Sequence, residues 1–242
     1  MKPFEFKQFS VKQDKCAMKI GTDGVLLGAW TSLDHNPYNI LDVGAGTGVI
    51  ALQLAQRSIA ENIEAIEIDE DAYEQCVENF ENSPWSDRLF CYHAGFDELV
   101  AEPEEQYDLI VSNPPFYSEQ LQNNTLENTP SEARIQARFA EALPFNDLLE
   151  GVSILLQEEG RFSTIIPHKK ETTFISLAQQ YNLFPKRICR VQGTPTSDIK
   201  RSLIEFVFKA TECITSTLII EEGRHQYTKE YTELTKDFYL KM

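Results

Sequence analysis

The stretch Leu41-Asp42-Val43-Gly44-Ala45-Gly46-Thr47-Gly48-Val49-Ile50 decides the fold. Its apolar start predicts the end of a β-strand, and the apolar residues that recur from position 49 onward predict a helix. The glycines between them predict a tight turn that lets a ligand approach the backbone closely and points helix N-terminal amides at it. The spacing is GxGxG, whereas a dinucleotide fingerprint is GxGxxG and would need glycine at position 49. The turn therefore fits many nucleotide-binding folds but lacks the dinucleotide pattern.

The rest of the chain alternates short aliphatic or β-branched runs with helical patterns, which is typical of a parallel α/β sheet. Helices are predicted at 49–57, 71–82, 146–157 and 171–181. Strands are predicted at 39–43, 63–68, 89–93, 107–112, 161–166, 187–191 and 203–208. The last two are joined by a polar loop without a helical pattern, so we expect them to pair as an antiparallel hairpin. We therefore expect one α/β domain over residues 1–242, with a doubly wound seven-stranded sheet.

The composition is that of a globular protein, since 42% of the 242 residues are hydrophobic and 25% are charged. The longest apolar runs are too short to cross a bilayer, and the N-terminus does not resemble a signal peptide, so we expect a cytoplasmic protein. Five cysteines and four histidines are widely scattered along the chain. This favours buried free thiols and no metal site. The oligomeric state is not implied by the sequence.

The net charge of −16 argues at first sight against a polyanionic partner, because nucleic-acid affinity depends largely on Lys and Arg. The acidic excess is local, since residues 34–105 contain 17 acidic and 2 basic residues. In contrast, residues 1–30 contain 5 basic and 3 acidic residues, and residues 167–201 contain 7 basic and 2 acidic residues. These two basic zones permit contact with RNA, although a solvated surface is the commoner explanation of any single lysine.

A polar stretch of 27 residues, 117–143, separates the fourth predicted strand from the next helix. Long insertions at the carboxyl edge of a sheet are usually functional or disordered. Arg134 and Arg138 lie within it, in a segment with a helix-like pattern. A substrate-recognition loop and a mobile surface loop are both compatible with this stretch.

The second predicted strand ends in an acidic segment that contains Glu67, Ile68 and Asp69. An acidic residue about 20 positions after a glycine turn lies where a ribose diol binds, so Glu67 is the predicted ribose ligand. Ile68 is then expected to pack against an adenine face. The alternative interpretation is that Glu67 and Asp69 only begin a helix with a favourable charge.

The segment Ser112-Asn113-Pro114-Pro115-Phe116 follows the fourth predicted strand. An exocyclic amine on a purine is a poor nucleophile, so a catalyst should accept hydrogen bonds from its N–H groups and let its lone pair leave the ring plane. The Asn113 side-chain oxygen and the Pro114 carbonyl can do both, while consecutive prolines fix the backbone and remove competing donors. Phe116 offers an apolar face on which an extruded base can stack. The alternative interpretation is a structural turn.

Three features carry a family resemblance. The glycine turn with Asp42 ahead of it is similar to the first motif of class I methyltransferases, which bind S-adenosylmethionine. Residues 113–116 resemble the Asn-Pro-Pro-aromatic motif of amino-group methyltransferases. Residues 7–9 (KQF) and 14–30 (DKCAMKIGTDGVLLGAW) closely resemble the bacterial tRNA1(Val) adenine-N6 methyltransferase family, a likeness that continues at 82–85 (NSPW), 231–235 (YTELT) and 238–240 (FYL). It implies a Rossmann-like class I methyltransferase fold, S-adenosylmethionine as cofactor, and tRNA methylated on the adenine 3′ of the anticodon.

The resemblance also implies roles for single residues, with residues 1–38 forming an N-terminal segment against the cofactor site. The expected catalytic residues are Asn113, Pro114, Pro115 and Phe116. The expected cofactor-binding residues are Lys19, Thr22, Asp23, Asp42, Gly44, Ala45, Gly46, Gly48, Glu67, Ile68, Asp97 and Asn113. Without the resemblance, Thr22 and Asp23 would be interpreted as a helix cap.

The chain departs from the related enzymes after the third predicted strand. They usually have an Asp there that meets the amino group of the cofactor's adenine, whereas this chain has Gly95 at that position. Asp97 is expected to take this role through a shifted turn, or a backbone contact serves instead.

Three rival functions remain open. Methylation of an rRNA guanine N2 or of a protein glutamine uses the same amine-polarising geometry. Protein-glutamine enzymes generally carry an N-terminal helical domain and rRNA enzymes often have a duplicated domain, and we expect neither in a chain of this length. The third rival is a noncatalytic cofactor-binding module that associates with RNA, for which Asn113 would be dispensable. If the substrate is tRNA, we expect contacts from the two basic zones and the 117–143 loop.

Overall fold

The computed structural model describes residues 2–103, 105–115 and 143–242. In these ranges eight strands form one sheet. Their order across the sheet is β10 (Ile214–Ile219), β8 (Phe184–Gln192), β9 (Ile199–Val207), β7 (Leu156–Pro167), β6 (Tyr107–Ser112), β3 (Asn39–Val43), β4 (Asn62–Glu67) and β5 (Leu89–His93). Two short antiparallel pairs lie outside it, β1 (Phe4–Glu5) with β2 (Ser10–Val11) and β11 (Glu221–Gly223) with β12 (Gln226–Tyr227).

The helices of the described ranges follow the strands in alternation. They are α1 (Thr22–Trp30), α2 (Val49–Arg57), α3 (Glu70–Glu81), α4 (Phe96–Ala101), α5 (Phe145–Leu155), α6 (Glu171–Ala178) and α7 (Lys229–Thr235), with 3-10 turns at His168–Lys170 and Gln179–Tyr181. None of these helices has the length and apolar character needed to cross a membrane.

The sheet confirms the predicted hairpin and adds a strand. Strand β9 runs antiparallel to both β7 and β8, while β3 to β7 are mutually parallel. All seven predicted strands are present. The predicted seven-stranded core with its antiparallel hairpin is thus confirmed, and an eighth strand, β10, follows the hairpin and pairs in parallel with β8 at the edge of the sheet.

The helices cover both faces of the sheet, as expected for a doubly wound fold. Because neighbouring residues of a strand point to opposite faces, Ile40 and Leu41 of β3 enter two different core clusters. One cluster contains the buried side chains of α1 and α2, and the other contains those of α5 and α6. Helix α1 is buried along residues 24–29 and is tied to α2 by the Gln53 amide, which donates to the Val25 carbonyl at 3.1 Å.

The strand order reverses at β3, because β4 and β5 lie on one side of it and β6 and β7 on the other. In open α/β sheets, ligands bind in the crevice at the carboxyl ends of the strands where the order reverses. The fold thus directs a ligand to the residues that follow β3, β4 and β6.

The N-terminal segment is fixed next to this crevice by one asparagine. The Asn79 side chain of α3 accepts from the Lys12 amide at 2.8 Å and donates to the Thr47 carbonyl of the glycine turn at 2.9 Å. The Lys15 amide donates to the Gln75 side chain of the same helix at 3.2 Å. Residues 12–15 therefore lie along α3, and Asn79 connects them to the glycine turn.

Candidate active site

The ends of three adjacent strands bring the sequence-predicted groups together. Val43 is paired in register with Ile66 of β4 and with Ser112 of β6. The Ser112 hydroxyl also donates to the Val43 carbonyl at 3.0 Å. The glycine turn that follows Val43 therefore lies between Glu67 on one side and Asn113 on the other.

The glycine turn has the left-handed conformation that its glycines predict, with φ of 73° at Gly44, 55° at Gly46 and 76° at Gly48. The amides of Gly44 and Ala45 both donate to the Ile66 carbonyl at 3.0 Å, which fixes the turn on β4. A Cβ on Gly44 would have nothing within 4 Å. This side of the turn is open, so a ligand can reach the backbone.

Glu67 holds the turn in place and remains able to accept further hydrogen bonds. Its Oε2 accepts from the Gly46 amide at 2.7 Å and its Oε1 accepts from the Asp69 amide at 3.0 Å. Asp69, not Glu67, caps α3 by accepting from the Ala72 amide at 2.8 Å. The helix-start interpretation is therefore wrong for Glu67. A carboxylate oxygen has more than one acceptor site, so Glu67 can still bind ribose hydroxyls.

Ile68 presents an apolar side chain beside this carboxylate and is 52% exposed. The His93 Nε2 lies 3.0 Å from the Ile68 carbonyl, and the His93 ring stacks on Tyr73 with centroids 5.2 Å apart. These contacts hold the backbone of Ile68 while leaving its side chain accessible to a flat apolar group.

Asp42 is fully buried at the end of β3. Its Oδ2 accepts from the Ala51 amide at 3.2 Å, whereas its Oδ1 has no hydrogen-bond partner in the described part of the chain. Burial raises the pKa of this carboxyl to about 7, and the negative charge of Glu67 adds to the effect. A buried carboxyl oxygen with an unused acceptor position thus lies two residues before the glycine turn.

The start of α1 lies next to the glycine turn, because Gly24 packs against the side chains of Val49 and Ile50. The N-cap of α1 is Gly21 and makes no side-chain cap, so the helix-cap interpretation of Thr22 and Asp23 is wrong. Thr22 is exposed, and Asp23 Oδ2 accepts from Arg201 Nε at 2.7 Å.

Lys19 and Cys16, which precede α1, show how the N-terminal segment is held near the site. The Lys19 ammonium donates to the Cys16 carbonyl at 3.0 Å, which closes this segment on itself. Cys16 is buried, and burial raises the pKa of its thiol to about 12, with a further contribution from the charge of Glu67. The segment therefore passes close to the Glu67 carboxylate, while the Lys19 head group is engaged by its own backbone.

Asp97 lies in the first turn of α4, with Gly95 as the N-cap. The Asp97 carboxylate folds over Gly95 and fills the place that the Cβ of any other residue would take. Its carboxylate therefore lies close to position 95, just after the carboxyl end of β5, and its side chain is exposed.

The motif after β6 is described only in part. Pro114 is buried, and Asn113 and Pro115 are half-buried. Phe116 lies outside the described residues, as do residues 117–142 of the expected substrate-recognition loop, with Arg134 and Arg138.

A polar cluster that the sequence did not predict holds the chain after β7. Glu171 is buried and accepts from Arg190 Nη2 at 2.7 Å and from the Ser202 hydroxyl at 2.5 Å, and His168 Nδ1 lies 3.1 Å from its Oε2. Although burial opposes ionisation, the hydrogen bonds from Arg190 and Ser202 hold the pKa of Glu171 below its usual value. This fixes the 3-10 turn that carries Lys169 and Lys170 at the same sheet edge as Asn113.

Comparison with known proteins identifies the family. A sequence model of the family described as Methyltransferase small domain matches residues 22–134. A tRNA1(Val) (adenine(37)-N6)-methyltransferase of Flavobacterium psychrophilum is 61% identical over 239 residues, which are 99% of this chain and 100% of that protein. The chain belongs to the tRNA1(Val) (adenine(37)-N6)-methyltransferase family. A more distant member, from Bacteroides thetaiotaomicron, is 44% identical over 98% of this chain and 97% of its own.

Solved structures agree with the fold of this methyltransferase family. A protein described as a predicted O-methyltransferase from Agrobacterium tumefaciens has a TM-score of 0.67 at 19% identity, covering 89% of this chain and 96% of its own. A ribosomal protein L11 methylase from Lactobacillus delbrueckii has a TM-score of 0.52 at 15% identity, covering 77% of each chain. The predicted class I methyltransferase fold is confirmed.

S-adenosylmethionine, the cofactor of this methyltransferase family, fits the residues at the carboxyl edge. The open side of the glycine turn leaves room for the ligand next to the backbone. The unpaired Asp42 oxygen matches the positive charges of the cofactor, and Glu67 has acceptor positions for its ribose. The donor set therefore agrees with the cofactor that the family uses.

Proposed function

We propose that this chain transfers the methyl group of S-adenosylmethionine to N6 of adenine 37 in tRNA1(Val), the reaction named for its relatives. The observation that carries the proposal is the register of Val43 with Ser112, which sets Asn113 directly beside the glycine turn. An amine held by Asn113 is then next to the cofactor, so the two reactants meet at one crevice.

The residues around the glycine turn have separate tasks in holding the cofactor. Bound S-adenosylmethionine supplies a methyl group on a positively charged sulfur. Glu67 accepts hydrogen bonds from the ribose hydroxyls, and Ile68 packs on the adenine. Asp97 accepts from the adenine amino group, in the role that position 95 has in related enzymes. Thr22 and Asp23 lie at the methionyl end, where Asp42 adds negative charge below the turn.

The backbone of the turn and the N-terminal segment complete the proposed cofactor site. Gly44, Ala45, Gly46 and Gly48 place the turn close to the ligand, and Lys19 orders the segment that covers it. Residues 1–38 then form the N-terminal wall of the site within a single methyltransferase domain.

The motif after β6 prepares the target amine. The Asn113 side-chain oxygen and the Pro114 carbonyl accept hydrogen bonds from the two N6 hydrogens, which turns the nitrogen lone pair out of the ring plane. Pro115 keeps the backbone rigid, and Phe116 stacks on the extruded base. N6 releases one proton to water as it is methylated, and no group with a strongly shifted pKa is needed to take it.

The charge distribution favours RNA at the carboxyl edge. Lys169 and Lys170 lie in the 3-10 turn after β7, and Lys200 and Arg201 lie at the start of the antiparallel strand β9, so all four share the edge that carries Asn113. The strongly acidic residues 34–105 include the ends of β4 and β5, so we expect RNA to approach the edge from the side of β7 and β9. A tRNA-modifying enzyme acts where tRNA is found, which is the cytoplasm.

Asn113→Ala tests the proposal. The purified variant and wild type are incubated with labelled S-adenosylmethionine and tRNA from a strain that lacks the enzyme, and the methylated nucleoside is identified after digestion. We expect wild type to form N6-methyladenosine and Asn113→Ala to lose about a hundredfold in rate, because the hydrogen-bond acceptor for the amine is removed. Cofactor affinity, measured by calorimetry, shows separately how much Asn113 contributes to binding S-adenosylmethionine.

Asn82→Ala is the matched control, since Asn82 lies at the exposed end of α3 and should leave the rate unchanged. If rRNA or protein took up label while tRNA did not, the proposed substrate would be wrong, but the proposed cofactor site would still be supported. Full cellular function of Asn113→Ala would show instead that the chain is a noncatalytic module.

A further inference from the structure

A recess of about 310 Å³ opens between the N-terminus of α1 and the turn that joins β8 to β9. Its apolar floor is formed by Leu26, Val191 and Ile220. Polar side chains of Lys200 and Arg201 stand at its rim. None of these five residues belongs to the methyl-transfer motif or to the glycine turn, whereas Thr22 and Asp23, which also line the recess, belong to the proposed cofactor site.

The recess is adjacent to the proposed reaction centre. Arg201 is paired in register with Pro167 of β7, and Thr164 of β7 is paired with Ser112, one residue before Asn113. Two strand spacings, or about 10 Å, thus separate β9 from β6 across the sheet, and Arg201 lies three residues, or about a further 10 Å, beyond the level of Ser112 along the strands. A nucleotide joined to the target adenine by one phosphodiester can span this gap.

The walls of the recess suit one nucleotide. An apolar floor accepts the face of a base, and a volume near 300 Å³ is at the lower end of the range of ligand pockets. The Lys200 side chain is 67% exposed, and its described ion pair with Asp198 is long at 4.0 Å, with the Asp198 side chain 94% exposed. Such a pair is weak, so the ammonium can contact a phosphate.

Asp23 gives the recess a group that can read a base. Arg201 Nε binds Asp23 Oδ2 at 2.7 Å and so fixes the carboxylate in the wall. A carboxylate held this way accepts hydrogen bonds from an exocyclic amine. In the proposed function, Asp23 also lies next to the cofactor. A nucleotide in the recess and the cofactor would therefore both contact the Asp23 side chain.

We propose that this recess binds a nucleotide of the anticodon loop next to the target adenine, with its phosphate on Lys200 and its base over Leu26, Val191 and Ile220. This inference rests on the proposed function. It adds a determinant of substrate specificity, because the enzyme would recognise a nucleotide next to the adenine that it methylates. Deformation of the loop around the extruded adenine brings that neighbour to β9.

Lys200→Glu is the first test, with Lys209→Glu as the matched control because Lys209 is exposed beyond the opposite end of β9. The substrate is a hairpin that contains the anticodon stem and loop of tRNA1(Val). We expect the KM for the hairpin to rise about tenfold in Lys200→Glu and the slope of log affinity against log salt to become shallower by about one. The kcat and the KM for S-adenosylmethionine should stay at wild-type values, as should all constants of Lys209→Glu.

The second test asks whether a base enters the recess. Hairpins that lack the base on the 5′ or the 3′ side of adenine 37 are bound to wild type and to Ile220→Trp, which fills the floor. We expect one of the two missing bases to weaken binding to wild type several-fold and to have no effect on Ile220→Trp.

The outcomes separate this site from the proposed function. If wild type methylates the intact hairpin while Lys200→Glu behaves like Lys209→Glu, or neither missing base weakens binding, the nucleotide site is overturned and the methyltransferase activity stands. If wild type does not methylate the hairpin or tRNA at all, the proposed function fails and the site fails with it.

Discussion

Asp42 shows how a single buried side chain responds to the absence of a partner. One of its oxygens is bonded to the Ala51 amide and the other has no partner in the described ranges, so a single hydrogen bond does not compensate for its loss of hydration. Burial therefore favours the protonated form of the Asp42 carboxyl and raises its pKa to about 7. The group is thus balanced between neutral and charged at physiological pH.

This balance makes a prediction about stability. Folding raises the pKa of Asp42 from an ordinary 3.8 to about 7, so within that window the folded state keeps a proton that the unfolded chain has lost. The resulting stabilisation is complete at the acidic end and is lost as the pH rises through the folded pKa. In Asp42→Asn, which cannot ionise, this contribution is absent at every pH.

We therefore expect the difference in unfolding free energy between wild type and Asp42→Asn to fall with rising pH, by up to about 1.4 kcal/mol per pH unit, and to level off above about pH 7. Urea unfolding of both proteins without cofactor, from about pH 5 to about pH 8, measures it. All other titrating groups are shared by the two proteins and cancel. A difference that does not change with pH would show that Asp42 is ionised throughout.

At the scale of elements, the turn between β3 and α2 combines two kinds of glycine. Gly44 and Gly48 both have positive φ, but a Cβ on Gly44 would meet nothing within 4 Å, whereas on Gly48 it would lie 2.5 Å from Phe80 Cε1 and 2.8 Å from Cys76 Sγ. The first glycine faces the ligand side and the second faces α3.

Gly48→Ala should therefore cost more stability than Gly44→Ala. Backbone strain alone costs about 1–2 kcal/mol in each variant, and the clash with α3 adds about 1–3 kcal/mol in Gly48→Ala. Urea unfolding of the two variants compares them directly, with Gly44→Ala as the control for strain. Equal losses would mean that α3 moves away from the turn at little cost.

The elements that the sequence predicted are those with a strong local pattern. Helix α2 was predicted at 49–57 and spans Val49–Arg57, because the glycine turn marks its start. Strand β10 was not predicted because it lies at the sheet edge and only Leu218 is buried, so it has no core-facing alternation. Helix α1 is buried at all of residues 24–29 and thus lacks the polar face that gives a helix its period.

The residues of the candidate site could also be predicted from local sequence patterns, because they lie at or just after the ends of strands. Glu67, the glycines and Asn113 each end a strand, and the carboxyl ends of neighbouring parallel strands meet at one edge. The pairing of Arg201 with Asp23 joins residues 178 positions apart and depends on β9 running antiparallel beside β7. No local pattern encodes such a contact, so the recess that it forms could only be found in the folded chain.

At the scale of the whole molecule, the two ends of the described chain contact each other. The Lys7 amide donates to the Phe238 carbonyl at 2.8 Å, and Phe6 forms an isolated bridge with Tyr239. Phe6, Phe9 and Phe238 belong to the core cluster that also contains α1 and α2. The C-terminal residues therefore support the N-terminal segment that Asn79 connects to the glycine turn.

Phe238→Leu should loosen this segment without unfolding the sheet. Phe238 is 1% exposed, and loss of part of its ring costs about 1–2 kcal/mol. Phe206→Leu is the matched control, since Phe206 is equally buried but belongs to the cluster on the other face. Hydrogen exchange should become faster at the Lys7 and Lys12 amides in Phe238→Leu, because local opening no longer has to break a full aromatic contact. If both variants accelerate exchange at these amides equally, the N-terminal segment depends on global stability alone and the C-terminal residues do not hold it at the site.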